Sequence, residues 1–377
     1  MKKPIHYVGL DVHKETIAVA LCDSEGVATS LGTIPNDPDA IARLMRRLRE
    51  KATLRLCYEA GPCGFVLYRQ LVDLGIDCIV VAPSLIPQKS GDRVKTDRKD
   101  ALKLARLLRA GELTAVYVPD EALEAVRDLV RQRQDVQVDL KRAKNRLGKF
   151  LLRTGFCPPE AIKAWSKPHR QWLDTIHFEQ PARRLVLREH LAELDHQSER
   201  MARLDATVTA LLTELPELMQ QQVGALVCLH GVKELTALTV LVETGDLGRF
   251  QKAPQLFSYA GLVPREHSSG GHKGERRGGI TKTGNARLRR VLVEAGWHYR
   301  HPPRASAALC KRRAGKDPVV IRTAQQAHKR LSQKYWQLVQ AGKPAPRAVA
   351  AVGRELLGFM WAIAQTVQRS QGAVAKP

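Results

Sequence analysis

Four acidic residues stand where carboxylates can work together. Asp11 lies near the end of an alternating run, residues 5–12 (IHYVGLDV), and Glu59 closes a second run, 54–58 (LRLCY). Asp97 and Asp100 are three apart at the start of a helical stretch, so they share a face. Carboxylates brought within about 5 Å cannot all stay ionised unless something cationic sits among them. Mg²⁺ is the hard, oxygen-preferring ion that suits such a set, and two such ions about 3.5–4 Å apart can activate a nucleophile and stabilise a leaving oxygen in phosphoryl displacement. Taken singly, each acid reads equally well as a solvated strand end or a helix cap. Asp97, following Thr96, also favours the helix dipole.

A second constellation spans residues 264–290 (PREHSSGGHKGERRGGITKTGNARLRR), with eight Arg or Lys, two Glu, six Gly and the pair Ser268-Ser269. A serine hydroxyl needs a base or a metal to attack at neutral pH. Glu266, His267, His272 and Glu275 are close in sequence; a local Ser–His pair is open, and no triad is legible. Glycines among Arg276, Arg277, Lys282, Arg287, Arg289 and Arg290 suit a phosphate, through backbone N–H groups and guanidinium forks. On the residues alone, a basic loop gripping a DNA backbone, with serines as polar filler, is the stronger reading. Residues 141–153 add six basic residues and no acid, among them Lys141, Arg142, Lys144, Arg146 and Lys149.

The elements that must position these groups follow from periodicity. Residues 5–12, 16–22 and about 27–34 read as a strand meander, with a turn at Ser24-Glu25-Gly26. Then come helix, strand (54–58), helix (65–74), strand (76–81) and a helix from Thr96 to about Arg109. A meander followed by βα crossovers predicts an α/β domain with a mixed sheet, helices on both faces, and the first and fourth strands side by side. Residues 121–153 and 182–215 read as long amphipathic helices joined by a proline-rich connector, 158–181, either as an intramolecular antiparallel hairpin or as a dimerising coiled coil. Beyond about 222 the pattern is helical, and Leu229-His230-Gly231-Val232 resembles the turn of a helix-hairpin-helix unit. The expected divisions are 1–118, 119–218, 219–368 and a tail, 369–377.

The chain has 377 residues, with 61 Lys+Arg against 38 Asp+Glu, a net charge of +23. Such an excess calls for a polyanionic partner, nucleic acid before an anionic membrane surface. No apolar run approaches the ~20 residues that cross a bilayer, and Asp11 and His13 interrupt the first apolar stretch before it could serve as a signal peptide. The seven cysteines show no zinc spacing and read as free thiols in a reducing compartment. Aromatic residues are 5%, too few for base stacking to dominate. Trp165, Trp172, Trp297, Trp336 and Trp361 are expected in packing.

The strings Gly9-Leu10-Asp11, Tyr58-Glu59-Ala60-Gly61 and Lys95-Thr96-Asp97-Arg98-Lys99-Asp100-Ala101 resemble the ribonuclease-H-like, RuvC-like domain of the bridge-RNA-guided insertion-sequence transposases, the IS-one-ten family. Phe257–Pro264 (FSYAGLVP), Ser269-Gly270, Lys282-Thr283-Gly284-Asn285 and Leu288-Arg289-Arg290 resemble that family's helical, serine-bearing transposase domain. The resemblance covers nearly the whole chain and is loosest between Gly270 and Gly284. It implies that Asp11, Glu59, Asp97 and Asp100 are a metal-binding acidic tetrad, with two Mg²⁺ ions, and that Ser269 is a catalytic serine forming a phosphoserine–DNA intermediate. It also implies donor and target DNA, a structured guide (bridge) RNA, a dimer or tetramer with composite active sites, and a bacterial cytoplasmic, nucleoid-associated location. No GxxxxGK[ST] is present, which agrees with strand exchange without ATP. The rival readings are a RuvC-like nuclease that needs the acids and not Ser269, a non-enzymatic nucleic-acid scaffold, and an inactive transposase copy.

Overall fold

The computed structural model describes residues 3–87, 96–267 and 276–374. The chain divides into two compact units, Met1–Pro119 and Asp120–Pro377. In the first, β1 (Ile5–Val12), β2 (Thr16–Cys22) and β3 (Ala28–Pro35) form an antiparallel meander. Helix α1 (Pro38–Lys51) begins where the Asp37 carboxylate accepts the Ala40 amide at 2.9 Å and Pro38 supplies a ready-made first-turn φ. It delivers the chain to β4 (Thr53–Glu59), parallel to β1, and α2 (Val66–Asp73) delivers it to β5 (Asp77–Val81), parallel to β4. The order β3-β2-β1-β4-β5 is the expected mixed sheet.

The two-residue period of the strands decides what each face carries. Val8, Leu10, Leu54, Leu56 and Tyr58 pack against Ile41, Leu44, Met45 and Leu48 of α1 and Leu67 and Leu71 of α2. The opposite face is built from small residues, Gly9, Ala18, Ala20 and Cys57. Helix α3 (Asp97–Ala110) lies on it through Ala101, Leu104 and Ala105. The helix rides directly on strand backbone at Gly9. A Cβ there would meet the Ala101 carbonyl oxygen at 2.2 Å and the Ala105 amide nitrogen at 2.5 Å.

In the second unit α4 (Glu121–Arg153) and α6 (Pro181–Leu211) form an antiparallel pair. Arg133 bonds Asp205 at 2.8 Å and Arg146 approaches Glu193 at 3.6 Å, so partner numbers fall along α6 as they rise along α4. Between them α5 (Lys167–Thr175) occupies part of the stretch read as a plain connector. Ser166 caps it and Pro168 sits in its first turn, so this proline starts a helix inside the connector. The remaining elements are α7 (Glu217–Leu226), α8 (Glu234–Thr244), α9 (Ala253–Tyr259), β6 (Pro264–His267), β7 (Arg276–Ile280), α10 (Ala286–Gly296), α11 (Ala307–Arg313), α12 (Pro318–Gln340) and α13 (Ala345–Val374). Helix α8 is buried from Ala237 to Thr244 and forms the centre of this unit. The Gly231 turn is a packing turn, since a Cβ there would meet the Ala295 carbonyl oxygen at 2.9 Å. The β6–β7 hairpin is a departure from the helical pattern expected. Its strands, Pro-Arg-Glu-His and Arg-Arg-Gly-Gly-Ile, lack the β-branched alternation that marks a strand. Among the described residues no helix is long and apolar enough to cross a membrane.

Candidate active site

Strand register brings the first two acids to neighbouring strand ends. Leu10 pairs with Tyr58, and Asp11 and Glu59 are the next residue on each strand, on the face that Gly9 and Cys57 share. Helix α3 covers that face and starts at Asp97, capped by the Thr96 hydroxyl accepting the Lys99 amide at 3.3 Å. The α3 N-terminus is thereby carried to the end of β1. One donor atom each from Asp11, His13 and Asp97 lies within 4.8 Å of the others. The His13 Nε2 is 3.4 Å from Asp11 Oδ2 and 3.5 Å from Asp97 Oδ1. Burial pushes the Asp11 carboxyl above the usual carboxylate range; His13 opposes this, and the charges of Asp97 and Asp100 add to it.

Two of the four expected acids therefore meet within one donor group, and Asp100 acts on it through its charge. Glu59 is half-buried at the adjacent strand end and lies outside the 4.8 Å group. Four like charges resist closer approach, and an imidazole bridges the two that do meet. His13 was not among the candidates read from the sequence. The signal for it was the Asp-x-His spacing, which places both side chains on one side of an extended chain. Carboxylate oxygens with one imidazole at the rim suit a hard divalent cation. The raised Asp11 fits the same ion, since a cation relieves the cost of ionising a partly buried carboxyl among like charges.

Ser268 and Ser269 lie outside the described residues, as do His272 and Glu275 and the side chains of Glu266, His267, Arg276 and Arg277. The two strands that flank this segment rest on a tightly built base. Gly261 and Gly284 both have positive φ, 64° and 107°, and their Cβ atoms would sit 2.3 Å from the Thr283 carbonyl oxygen and 2.2 Å from that of Tyr259. Asn285 accepts the Leu288 amide at 2.9 Å as the cap of α10, while its Nδ2 donates to Glu243 Oε2 at 2.7 Å. Arg131 of α4 donates two bonds to the Glu243 carboxylate, at 2.8 and 2.7 Å, and the Tyr259 hydroxyl donates to the Glu243 backbone carbonyl at 2.7 Å. Glu243 is 1% exposed. Burial alone would raise its carboxyl, but the Arg131 and Asn285 hydrogen bonds outweigh it, and the group is held below the usual range. No sequence motif marked Glu243 or Arg131.

The basic candidates divide by what they touch. Arg287 pairs with Asp135 at 2.9 Å, Arg290 with Glu294 at 3.0 Å, and Arg289 donates to the Ala260 carbonyl at 3.0 Å. Arg142 pairs with Asp139 at 3.1 Å, and Lys144 lies 5.5 Å over the ring of Trp165. Lys141, Lys149 and Lys282 are exposed. Trp165 and Trp336 are 38% and 47% exposed, and each packs its ring on a neighbour, His169 and Tyr335 respectively.

A mixed sheet whose strand ends gather carboxylates, followed by a helical domain with a basic hairpin, defines a DNA-recombining enzyme of the DEDD transposase type. Residues 8–156 match the DEDD transposase domain model of the IS110 type, and residues 225–309 match the model described as transposase IS116/IS110/IS902 family. A putative transposase, y4qE, of Sinorhizobium fredii is 41% identical over 97% of this chain and 90% of its own length. The transposase for insertion sequence element IS1533 of Leptospira borgpetersenii is 34% identical over 90% of this chain and 97% of its own. A pilin gene-inverting protein of Moraxella bovis is 30% identical over 48% of this chain and 46% of its own. The chain belongs to the IS116/IS110/IS902 family of transposases.

Proposed function

We propose that this transposase excises and inserts an insertion-sequence element by serine-mediated strand exchange, directed by a structured guide RNA. The observation that carries it is the meeting of Asp11, Asp97 and His13 at the N-terminus of α3, in a chain of this family. Asp11, Glu59, Asp97 and Asp100 would hold Mg²⁺, two ions per site. When bound, the ions supply Lewis-acid activation of a phosphodiester and of the attacking hydroxyl. The Ser269 hydroxyl attacks phosphorus, the Oγ–P bond forms, the P–O3′ bond breaks, and the 3′ oxygen takes a proton and leaves as a free hydroxyl. The phosphoserine link keeps the phosphodiester energy, so a different 3′-hydroxyl can reverse the attack and reseal a new junction without ATP. The Moraxella relative is named a pilin gene-inverting protein, and inverting a gene requires DNA strands to be cut and rejoined.

The charge of +23 is matched by guide RNA together with donor and target DNA, where phosphate contacts position and base pairing specifies. Acids and serine would meet between subunits of a dimer or tetramer, with residues 119–218 as the assembly region. The setting is the bacterial cytoplasm, at the nucleoid. The decisive experiment mixes purified protein, guide RNA and Mg²⁺ with labelled donor and target DNA, and looks for an SDS-stable protein–DNA adduct. Loss of the adduct in both Ser269→Ala and Asp11→Ala is expected. Cutting without an adduct, indifferent to Ser269, would leave a RuvC-like nuclease instead. Restored activity on mixing the two mutant chains is the mark of a composite site.

A further inference from the structure

A cleft of about 860 Å³ in the second unit lies between the β6–β7 hairpin and helices α12 and α13. Six cations line it: Arg265, Lys282, Lys334, Lys343, Arg347 and Arg354. No acid is among the described lining residues. Glu355, which pairs with Arg330 at 3.0 Å and Lys334 at 3.8 Å, stands behind the wall. The floor is leucine, isoleucine, proline and alanine, and Gly278 and Gly279 leave the β7 wall without side chains. The cations are exposed or half-buried.

Lys282 adds a second observation. Its φ is 58°, a left-handed conformation that favours glycine, and its amide donates to the Gly261 carbonyl at 3.1 Å. A lysine at that position carries a backbone penalty that a glycine would escape, and its side chain lines the cleft.

We propose that this cleft seats the sugar–phosphate backbone of one DNA strand. Six cations lining one cleft, only partly offset by Glu355 at Lys334, match a polyanionic backbone whose phosphates recur every ~3.4 Å of helix rise on each strand. Among the described residues no aromatic platform lines the cleft, so the grip is on phosphates and is indifferent to sequence. The described lining also offers no serine, threonine, asparagine, glutamine or acid to recognise a ribose 2′-hydroxyl, so a deoxyribose suits the apolar floor. The cleft is walled by the strands that flank residues 268–275 in sequence, and the seating of a strand in it does not rest on the serine mechanism proposed above.

The test is binding of a labelled single-stranded deoxyoligonucleotide to the full chain by fluorescence anisotropy, from 50 to 400 mM salt, without Mg²⁺. The variants are Lys334→Gln/Lys343→Gln/Arg347→Gln in the cleft, and Arg43→Gln/Arg47→Gln/Lys51→Gln on the outer face of α1 as an equal loss of charge. A Lys282→Gly chain removes a cleft cation while relieving its backbone, so weakened binding there cannot come from misfolding. The cleft triple variant is expected to bind roughly tenfold or more weakly at low salt and to lose about two from the salt slope, and Lys282→Gly about 0.7. Slopes unchanged in both cleft variants, or a loss matched by the α1 control, overturn the proposal. So does a loss confined to an oligoribonucleotide of the same sequence. An SDS-stable adduct formed as in the wild type by the cleft triple variant at DNA concentrations well below saturation would sink the cleft and leave the serine mechanism standing. Cleft-dependent binding with no adduct in the wild-type chain would do the reverse.

Discussion

Replacing Gly9 by alanine tests whether α3 is what assembles the acidic site. The added Cβ would lie 2.2 Å from the Ala101 carbonyl oxygen and 2.5 Å from the Ala105 amide nitrogen, both backbone atoms of α3. Real Cβ contacts begin near 3.0 Å, so the helix must retreat by about 0.8 Å, with no flexible side chain able to absorb the move. Over-packing of this kind costs about 1–3 kcal/mol. Ala101 is next to Asp100 and one turn from Asp97, so the same retreat draws both carboxylates away from Asp11. A misplacement near 1 Å at a reacting centre costs about 100-fold in rate. Thermal unfolding of the Gly9→Ala chain should show the stability loss, and strand-transfer assays should show the larger loss of rate. Gly148→Ala in α4, where no atom lies within 4 Å, is the matched control. It should gain about 0.5–1 kcal/mol, because glycine is a poor helix residue. A Gly9→Ala chain that unfolds at the wild-type temperature and transfers strands at the wild-type rate would refute the reasoning.

Three further outcomes follow from the same geometry. Mg²⁺ at ~100 times its dissociation constant should stabilise the wild-type chain by about 2.7 kcal/mol, read as a rise in unfolding temperature. Asp11→Asn and Asp97→Asn should abolish that rise, and an equal rise in both variants would place the ion elsewhere. Glu243→Gln leaves Arg131 facing a neutral group at a buried position. With Arg131 39% exposed, the loss should sit near the lower end for a broken buried pair, about 3 kcal/mol by denaturant unfolding; a loss under ~1 kcal/mol would show that the node is not structural. His328 is 4% exposed, stacked at 4.1 Å on His230 and edge-on to Tyr299, and burial, His230 and Arg313 push its pKa down to about 4. The unfolded chain takes up this proton first, near pH 6.5, so stability should be intact above that value. It should fall by up to roughly 3 kcal/mol as pH drops toward 4. His328→Phe should flatten that part of the unfolding-temperature profile, and an unchanged profile would assign the acid sensitivity to other groups.

The α/β domain was legible because its signals are local and repeated. β-Branched alternation marks β1 and β2, Asp37-Pro38 marks the start of α1, and the order of strands and helices dictates the neighbours of β1. The long helices were legible for the same reason, and α4 runs over the residues its apolar stripe marked. The hairpin of β6 and β7 was not, since nothing in Pro-Arg-Glu-His or Arg-Arg-Gly-Gly-Ile alternates. In the site, Asp11 and Asp97 could be paired on paper, because register and helix direction suffice. His13 could not be chosen as readily, since a lone histidine near a strand end is ordinary. Glu243 was beyond reach. Its partners are 112 residues away at Arg131 and 42 away at Asn285, and only the packed helices bring them together.

The acidic site and the base under β6 and β7 are built by the same device, and the proposed DNA cleft by a different one. At Gly9, a residue without a side chain lets backbone lie on backbone, and a carboxylate-bearing helix end is fixed by contacts that cannot slide. At Gly261 and Gly284 the same close approach ties the base of the serine hairpin, and the Glu243 node clamps it to α4 and α10. Reacting groups need placement within about 0.5 Å, and rigid elements in direct contact provide it. The cleft cations sit at the ends of long, half-exposed side chains, which suits a backbone that has to enter, shift and leave. Substitutions should therefore fall into two kinds. Adding a methyl at a glycine contact should slow strand transfer and leave the salt dependence of DNA binding as it was. Removing a cleft cation should lower that salt dependence and leave the rate at saturating DNA close to wild type. A glycine variant that binds DNA poorly and reacts at the normal rate once bound would break that division and return the small residues to a purely structural role.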